Sequence, residues 1–376
     1  MTTRRSILQL AVAAGLLLRD RGAAHAQTNR NRAGIAPEAS IRRDAPYRRI
    51  ATEEAYSTPE IVDRYRRMIE DGTTTDPGFA AMWGGFLRRD ADWFEQLFSL
   101  GERRLRDMDS MGTAMHVLSL TAPGVQVFDA ATGTSLARET NDRLAEACRR
   151  HPDRFAGLVT IAPQDPRRAA QEIERGMTSL GLHGVIVNSH TNGEYLDDEK
   201  SWEIFEAAES LDAAIYIHPT TPTLQMLEPY LSRGLHGPIG GFAADVYLHS
   251  LALIGAGVFD RFPGLKIVVG HLGEGLLGMM YRFDYMQHQI PRRLERRVSD
   301  YLKDNFYVTT SGMAWEPAIK FAQEVLGSSR VLYAMDYPYQ FDAEEVVVTD
   351  GLSIGDEEKM QLFQTNAERV FHLKRG

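Results

Sequence analysis

Cysteine occurs once in the 376 residues, as Cys148. No intrachain disulfide can form, and no cysteine cluster can hold zinc. Within the amphipathic run Glu146–Arg150, Cys148 reads as a small packing residue rather than a nucleophile. A basic excess is also missing. The 42 Lys and Arg stand against 51 Asp and Glu, a net charge of -9, which excludes the electrostatic footprint of a nucleic-acid partner. A small anionic substrate stays compatible with that balance, because a local cluster of arginine and metal overrides the global sign. No Gly-x-Gly-x-x-Gly follows the first candidate strand and no phosphate-cradling lysine motif is present, so the common nucleotide-binding signatures are absent. The apolar stretch Ile7–Leu18 is shorter than the ~20 residues of a membrane span.

What is present begins with an address. Arg4-Arg5 opens the chain, an Ala- and Leu-rich stretch follows, and Ala24-His25-Ala26 offers a small-x-small cleavage site. Residues 1–26 read as a twin-arginine signal peptide, with the periplasm as the expected location and no membrane contact after cleavage. That route carries folded proteins and suits an enzyme that loads a metal before export. Residues 27–48, rich in Arg, Asn, Ala and Pro and without periodicity, read as a linker or an arm over a neighbouring subunit.

From residue 49 to 376, β-branched runs alternate with longer amphipathic segments. Eight strands are expected: Arg49–Glu53, Met115–Leu120, Phe155–Ile161, Gly184–Asn188, Ala213–Ile217, Lys266–Gly270, Phe306–Thr310 and Val331–Met335. Continuous apolar runs such as Ile215-Tyr216-Ile217 fit a parallel sheet covered on both faces. Helical spacing marks 135–150, 166–180, 198–211 and 317–326. Eight strand–helix units make an α/β chain of the (β/α)8 TIM-barrel type, with a doubly wound open sheet as the alternative. Long insertions after strands one (57–100) and five (219–262) lie on the face where such barrels carry chemistry, as candidate lids or substrate walls.

The strand ends carry the main signal. Strand one ends in Glu53-Glu54-Ala55, strand four in Asn188-Ser189-His190, strand five in His218-Pro219, strand six in His271-Leu272-Gly273-Glu274, and strand eight in Asp336-Tyr337-Pro338. Singly, a strand-end acid often caps the next helix and a lone histidine is often structural. Together, Glu53, His218 and Asp336 would converge from separate strands on one mouth, and two carboxylates with an imidazole form an oxygen-rich, partly open site for Mn2+, Zn2+ or Mg2+. Without a cation the carboxylates would repel and one would hold a proton. His271 beside Glu274 reads as an acid/base pair or a further metal contact, the carboxylate setting the imidazole tautomer.

These stretches, with Tyr216-Ile217-His218-Pro219, Val269–Glu274 and Ala334-Met335-Asp336-Tyr337-Pro338-Tyr339-Gln340, resemble the ACMSD-like aromatic-acid decarboxylases of the amidohydrolase superfamily, from about residue 49 to the end. Within that branch the likeness is greatest to enzymes acting on carboxyvanillate. The resemblance implies one divalent metal, Mn2+ first and Zn2+ as the alternative, held by Glu53, His218 and Asp336 with His271 close by. It implies substrate contacts from Arg282 in Tyr281-Arg282-Phe283-Asp284 and from Arg89 or its neighbour Arg88, with Tyr339 and His190 on the walls. Ala55 stands where many superfamily members carry histidine, which argues against a two-metal hydrolase site. A homodimer or homotetramer is also implied.

The chemistry expected on that basis is loss of CO2 from an ortho-hydroxy aromatic acid. Direct loss would leave an unstabilised aryl anion, so the ring carbon is protonated first. Asp336 is the first choice of donor, its proton held by a second carboxylate nearby. His271, oriented by Glu274, is the alternative donor. A metal-dependent lactone or amide hydrolase on the same barrel is the rival activity, since fold alone does not separate the two. A periplasmic binding protein for aromatic acids would show two lobes and a hinge, which this pattern lacks.

Overall fold

The computed structural model describes residues 41–374. The signal peptide read at 1–26 lies outside the described residues, as does the first part of the stretch read as a linker. Residues 41–48 lie on the chain's own body: the Tyr47 ring stacks on Phe363 with centroids 4.5 Å apart, and the Arg48 amide donates to Gln364 at 2.9 Å. Among the described residues no helix is long and apolar enough to cross a membrane.

The strands are β1 (Ile50–Tyr56), β2 (Met115–Leu120), β3 (Phe155–Gly157), β4 (Val159–Thr160), β5 (Val185–Val187), β6 (Ala214–Ile217), β7 (Lys266–Val269), β8 (Phe306–Thr309) and β9 (Val331–Leu332). Every pairing is parallel, in the order β1-β2-β3 and then β4 through β9. β3 and β4 are two halves of the expected third strand, parted at Leu158, whose amide still bonds the Leu118 carbonyl at 2.8 Å. Around the other edge, the Thr52 amide donates to the Tyr333 carbonyl at 3.0 Å. With helices between successive strands this is the (β/α)8 barrel.

Period-two alternation sorts each strand between two cores. Ile50, Val117, Ile186, Tyr216, Val268 and Tyr307 cluster together in the lumen with Phe371 of the C-terminal segment. Their neighbours Val185, Val187, Ile215, Ile217, Ile267 and Val269 face the helices. The helices start where capping chemistry dictates. Asp129 caps Ala130–Arg150 by accepting the Ala131 and Thr132 amides. Asp76 does the same for Pro77–Phe86, with proline at the first position, where its missing N–H costs nothing.

Two strand ends differ from expectation by three residues, the others by one at most, and both shape the site. β1 runs on to Tyr56, so Glu53 sits inside the strand rather than at its end. It carries a bulge: Ala51 pairs with His116 and Glu54 with Leu118, leaving Thr52 and Glu53 opposite Val117 alone. Such an extra residue re-aims side chains. Here it sends Glu53 toward the lumen and Glu54 toward the helices. The last strand stops at Leu332 because side chains take over its ladder: the Ala334 amide bonds Thr310 Oγ1 at 3.0 Å and the Met335 amide bonds Glu54 at 2.9 Å.

Candidate metal centre and substrate cavity

Glu53 is 3% exposed. Its Oε2 accepts from Thr309 Oγ1 at 2.8 Å and from the hydroxyls of Tyr216 and Ser311. Its Oε1 is buried and has no hydrogen-bond partner. Facing that oxygen are His218 Nε2 at 3.5 Å and His271 Nε2 at 3.4 Å. Each imidazole has its other nitrogen committed: His218 Nδ1 to the Pro219 carbonyl and His271 Nδ1 to the Ser311 carbonyl, both at 2.8 Å. A carbonyl only accepts, so the proton sits on Nδ1 and the Nε2 lone pair points inward. Three ligand atoms, mutually within 4.8 Å, thus converge on one point. Three hydroxyl donors spent on one carboxylate oxygen and an orphaned second oxygen fit a divalent cation.

The electrostatics agree. Burial alone would raise the Glu53 carboxyl, yet the two histidines and the Ser311 and Tyr216 hydroxyls hold it below the usual carboxylate value. Burial lowers His218, against the pull of Glu53. Burial opposes charge on His271 too, but Glu53, Glu274 and Asp336 outweigh it and push this imidazole up to about 9. Left to itself the cluster takes up positive charge, as a metal pocket should.

Backbone geometry supplies the closeness. A Cβ on Gly270, at the end of β7, would lie 2.7 Å from one Glu53 oxygen and 2.8 Å from the other. Only glycine lets this strand end approach. Past it, His271, Leu272 and Glu274 all have left-handed φ, between 51° and 55°. This tight turn swings the imidazole back over the barrel mouth. It also corrects one expectation: the His271 tautomer is set by the Ser311 carbonyl, while Glu274 stands 3.8 Å from Nε2. Glu274 is pushed up to about 7, chiefly by burial.

A cavity of about 660 Å3 opens on this cluster, lined by His218, His271, Glu274, Asp336, Arg89 and Tyr339 among others. Both long insertions contribute walls, Met82 and Phe86 from the first, Phe242 and Ala243 from the second. Helix Gly241–Gly255, which carries the latter pair, is held from behind. His249 Nε2 accepts the Leu196 amide at 3.2 Å, which puts its proton on Nδ1 toward Ser189 Oγ at 3.3 Å. Asp245 accepts from Tyr195 at 2.7 Å.

Asp336 lines the cavity but lies outside the tight ligand group, where His271 stands instead. Its carboxyl is raised well above the usual value, first by burial and then by Glu53. The Arg89/Arg88 ambiguity resolves by position. Arg88 bonds back to the Gly84 carbonyl of the preceding helix, whereas Arg89 lines the cavity with its guanidinium 5.5 Å from the Trp93 ring, and the nearby Asp92 is taken by Arg103. The Tyr339 hydroxyl meets Thr121 Oγ1 at 2.5 Å.

Two expected wall residues lie elsewhere. His190 gives Nε2–H to the Thr221 carbonyl at 2.9 Å and accepts the Gly193 amide on Nδ1 at 3.1 Å. Both nitrogens are spent on backbone, so it shapes the loop after β6 rather than the cavity. Arg282 is exposed on helix Met280–Met286 and does not line the cavity of its own chain. Reading strand ends for Glu, His and Asp missed the hydroxyls of Thr309 and Ser311 that hold Glu53. The run Thr309-Thr310-Ser311-Gly312 at the end of β8 was the available signal.

Comparison with known proteins places this arrangement. The amidohydrolase family profile matches residues 64–373. The gamma-resorcylate decarboxylase of Rhodococcus jostii is 33% identical over 342 residues, 87% of this chain and 99% of its own. The crystal structure of 5-carboxyvanillate decarboxylase from Novosphingobium aromaticivorans, complexed with manganese and 4-hydroxy-3-methoxy-5-nitrobenzoic acid, is similar with TM-score 0.87 and 45% identity, over 90% of this chain and 100% of that one. A dihydroxybenzoic acid decarboxylase from a Polaromonas species, with bound manganese and 2-nitroresorcinol, gives TM-score 0.77 and 32% identity over 88% and 98%. The barrel, the converging Glu–His–His cluster and these matches together show that the chain belongs to the amidohydrolase family.

Proposed function

We propose that this enzyme is a manganese-dependent decarboxylase of phenolic acids, and that its substrate is an aromatic acid of the 5-carboxyvanillate type with a hydroxyl ortho to the departing carboxylate. The observation that carries the reading is the buried, unpartnered Glu53 oxygen facing two Nε2 lone pairs, inside a cavity that also holds a raised carboxyl and the Arg89 guanidinium. Relatives of matching length and fold that are decarboxylases favour this chemistry over the hydrolase alternative.

Glu53, His218 and His271 would hold a divalent cation, which would supply Lewis-acid stabilisation of the negative charge of a phenolic acid. Arg89 pairs with a carboxylate of the substrate, and Phe86 and Tyr339 flank the ring. Asp336 holds the proton. Burial, and then Glu53, raise its carboxyl well above the usual carboxylate value, while His271 has one nitrogen tied to Ser311 and the other aimed at Glu53. Asp336 gives that proton to the ring carbon bearing the carboxylate. The carbon–carboxylate bond then breaks, its electron pair restores the aromatic ring, and CO2 leaves. Asp336 regains a proton from water before the next turnover.

The test is to strip the protein with chelator, reload it with Mn2+, and follow CO2 and acid release across carboxyvanillate, hydroxybenzoates and lactones. Metal-dependent CO2 release from the phenolic acids is expected. Turnover undiminished by chelation, or acid release from lactones alone, would overturn the reading. We also place the enzyme in the periplasm on the strength of Arg4-Arg5 and Ala24-His25-Ala26. Fractionation after Arg4-Arg5→Lys-Lys should leave the protein in the cytoplasm.

A further inference from the structure

Asp336 has φ 72°, a left-handed conformation unfavourable for a non-glycine residue, which persists only where its surroundings impose it. What imposes it is the residue next to the metal ligand. Glu54 is fully buried. One of its oxygens accepts the Met335 amide at 2.9 Å and the other accepts the Tyr337 amide at 3.0 Å, so its carboxyl group bridges the amides of the residues before and after Asp336. Backbone bonds secure the same turn: Ala55 donates to the Tyr337 carbonyl and Gln340 to the Asp336 carbonyl, both at 2.8 Å. The Tyr337 ring is pinned in turn, with the Arg104 guanidinium 4.5 Å from its centroid and its hydroxyl 2.7 Å from Asp107.

We propose that Glu54 is a positioning residue for catalysis, a two-oxygen clamp that holds the Asp336 turn in its left-handed form so that the carboxyl faces the ring carbon. The β1 bulge is what allows it: the extra residue shifts the strand's alternation by one, so that Glu53 takes the lumen side and Glu54 the other. The proposal rests on reading Asp336 as the proton donor. A misplacement on the order of 1 Å costs up to about 100-fold in rate, and that is the penalty to look for.

Glu54→Gln keeps one acceptor oxygen and sets an NH2 group against the other amide, so it can retain at most one of the two bonds. Glu54→Asp keeps both acceptor oxygens but is one methylene too short to span both amides. Both variants should lose about 10- to 100-fold in kcat, hold KM within about threefold, and keep the wild-type manganese content. Deuterium uptake of segment 333–340 should rise while the other strands stay protected. Asp336→Asn is run alongside. If it leaves kcat unchanged, the donor assignment fails and takes this proposal with it. If it collapses kcat while the Glu54 variants match wild type, the clamp alone is refuted. A kcat loss that only follows lost manganese, or failure of both Glu54 variants to fold, would assign Glu54 to the fold and equally overturn the proposal.

Discussion

Replacing Gly270 with alanine adds one methyl group 2.7 and 2.8 Å from the two Glu53 oxygens. Gly270 has φ -65° and ψ 176°, which alanine adopts freely, so the backbone is not strained. The loss of unfolded-state freedom alone would stabilise the variant by about 0.4–1 kcal/mol. The three nearest atoms to the added methyl group all belong to the Glu53 carboxylate. Ordinary contact begins at 3.4 Å, so Glu53 must retreat by 0.7 Å, and its Oε2 is held by three hydroxyls. A metal–ligand distance tolerates only about 0.2 Å. Disturbing the support of a ligand typically weakens metal affinity ~10–100-fold, or about 1.4–2.7 kcal/mol. Calorimetric titration of metal-free protein with Mn2+ should show that loss, while the melting temperature of metal-free Gly270→Ala stays at or near that of the wild type. Wild-type Mn2+ affinity combined with a lowered metal-free melting temperature would mean that the barrel yields rather than Glu53. The reasoning that Glu53, rather than the strand end, gives way to the added methyl group would then be wrong.

Asp336→Asn should lower kcat by several powers of ten, since proton transfer alone is worth roughly 10²–10⁴-fold; wild-type CO2 release from this variant would remove Asp336 from the mechanism. Arg89→Ala should raise KM about 10–100-fold, the worth of a charged hydrogen bond of ~1.5–3 kcal/mol, with kcat little changed. Arg88→Ala, at a side chain turned back on Gly84, should leave both constants alone, and the reverse pattern would show that the two arginines have been misassigned. Burial, and to a lesser extent His190, depress His249 to about 3. The unfolded chain therefore binds a proton there, and the folded one does not, between about pH 6.5 and 3. Stability from this residue is full above that window and falls as pH drops through it, by roughly 2–3 kcal/mol at pH 4.5. Calorimetric melts should show His249→Gln losing less stability between pH 7 and 4.5 than wild type; an equal loss would show that other groups dominate.

The barrel was legible because its strands are continuous apolar runs between amphipathic helices, a pattern set by burial on both faces. The ligand set was legible in part for a different reason. Polar residues that interrupt an apolar strand end must have partners, and Glu53, His218 and His271 converge on one another. What could not be read was direction. His190 and Arg282 carry suitable chemistry, but a ring whose two nitrogens are taken by backbone and an arginine on the outer face of a helix look the same in one dimension as residues facing a cavity. The roles of adjacent Glu53 and Glu54 were hidden too, because a bulge is a property of pairing between strands. The tautomer of His271 depends on a carbonyl 40 residues away, which no local pattern encodes.

The bulge in β1 has a consequence for how the enzyme comes apart. The first strand meets the last through Thr52 and Glu54, and between those two residues sits the glutamate that faces histidines from the far side of the mouth. A bound ion therefore acts as a rivet beside the suture of the barrel, joining the strand where the circle starts to the two that cross its middle. Occupancy should raise thermal resistance as free metal rises above its dissociation constant. In chelator, fraying should begin at that suture, so loss of catalysis and the first step of denaturation would be one event.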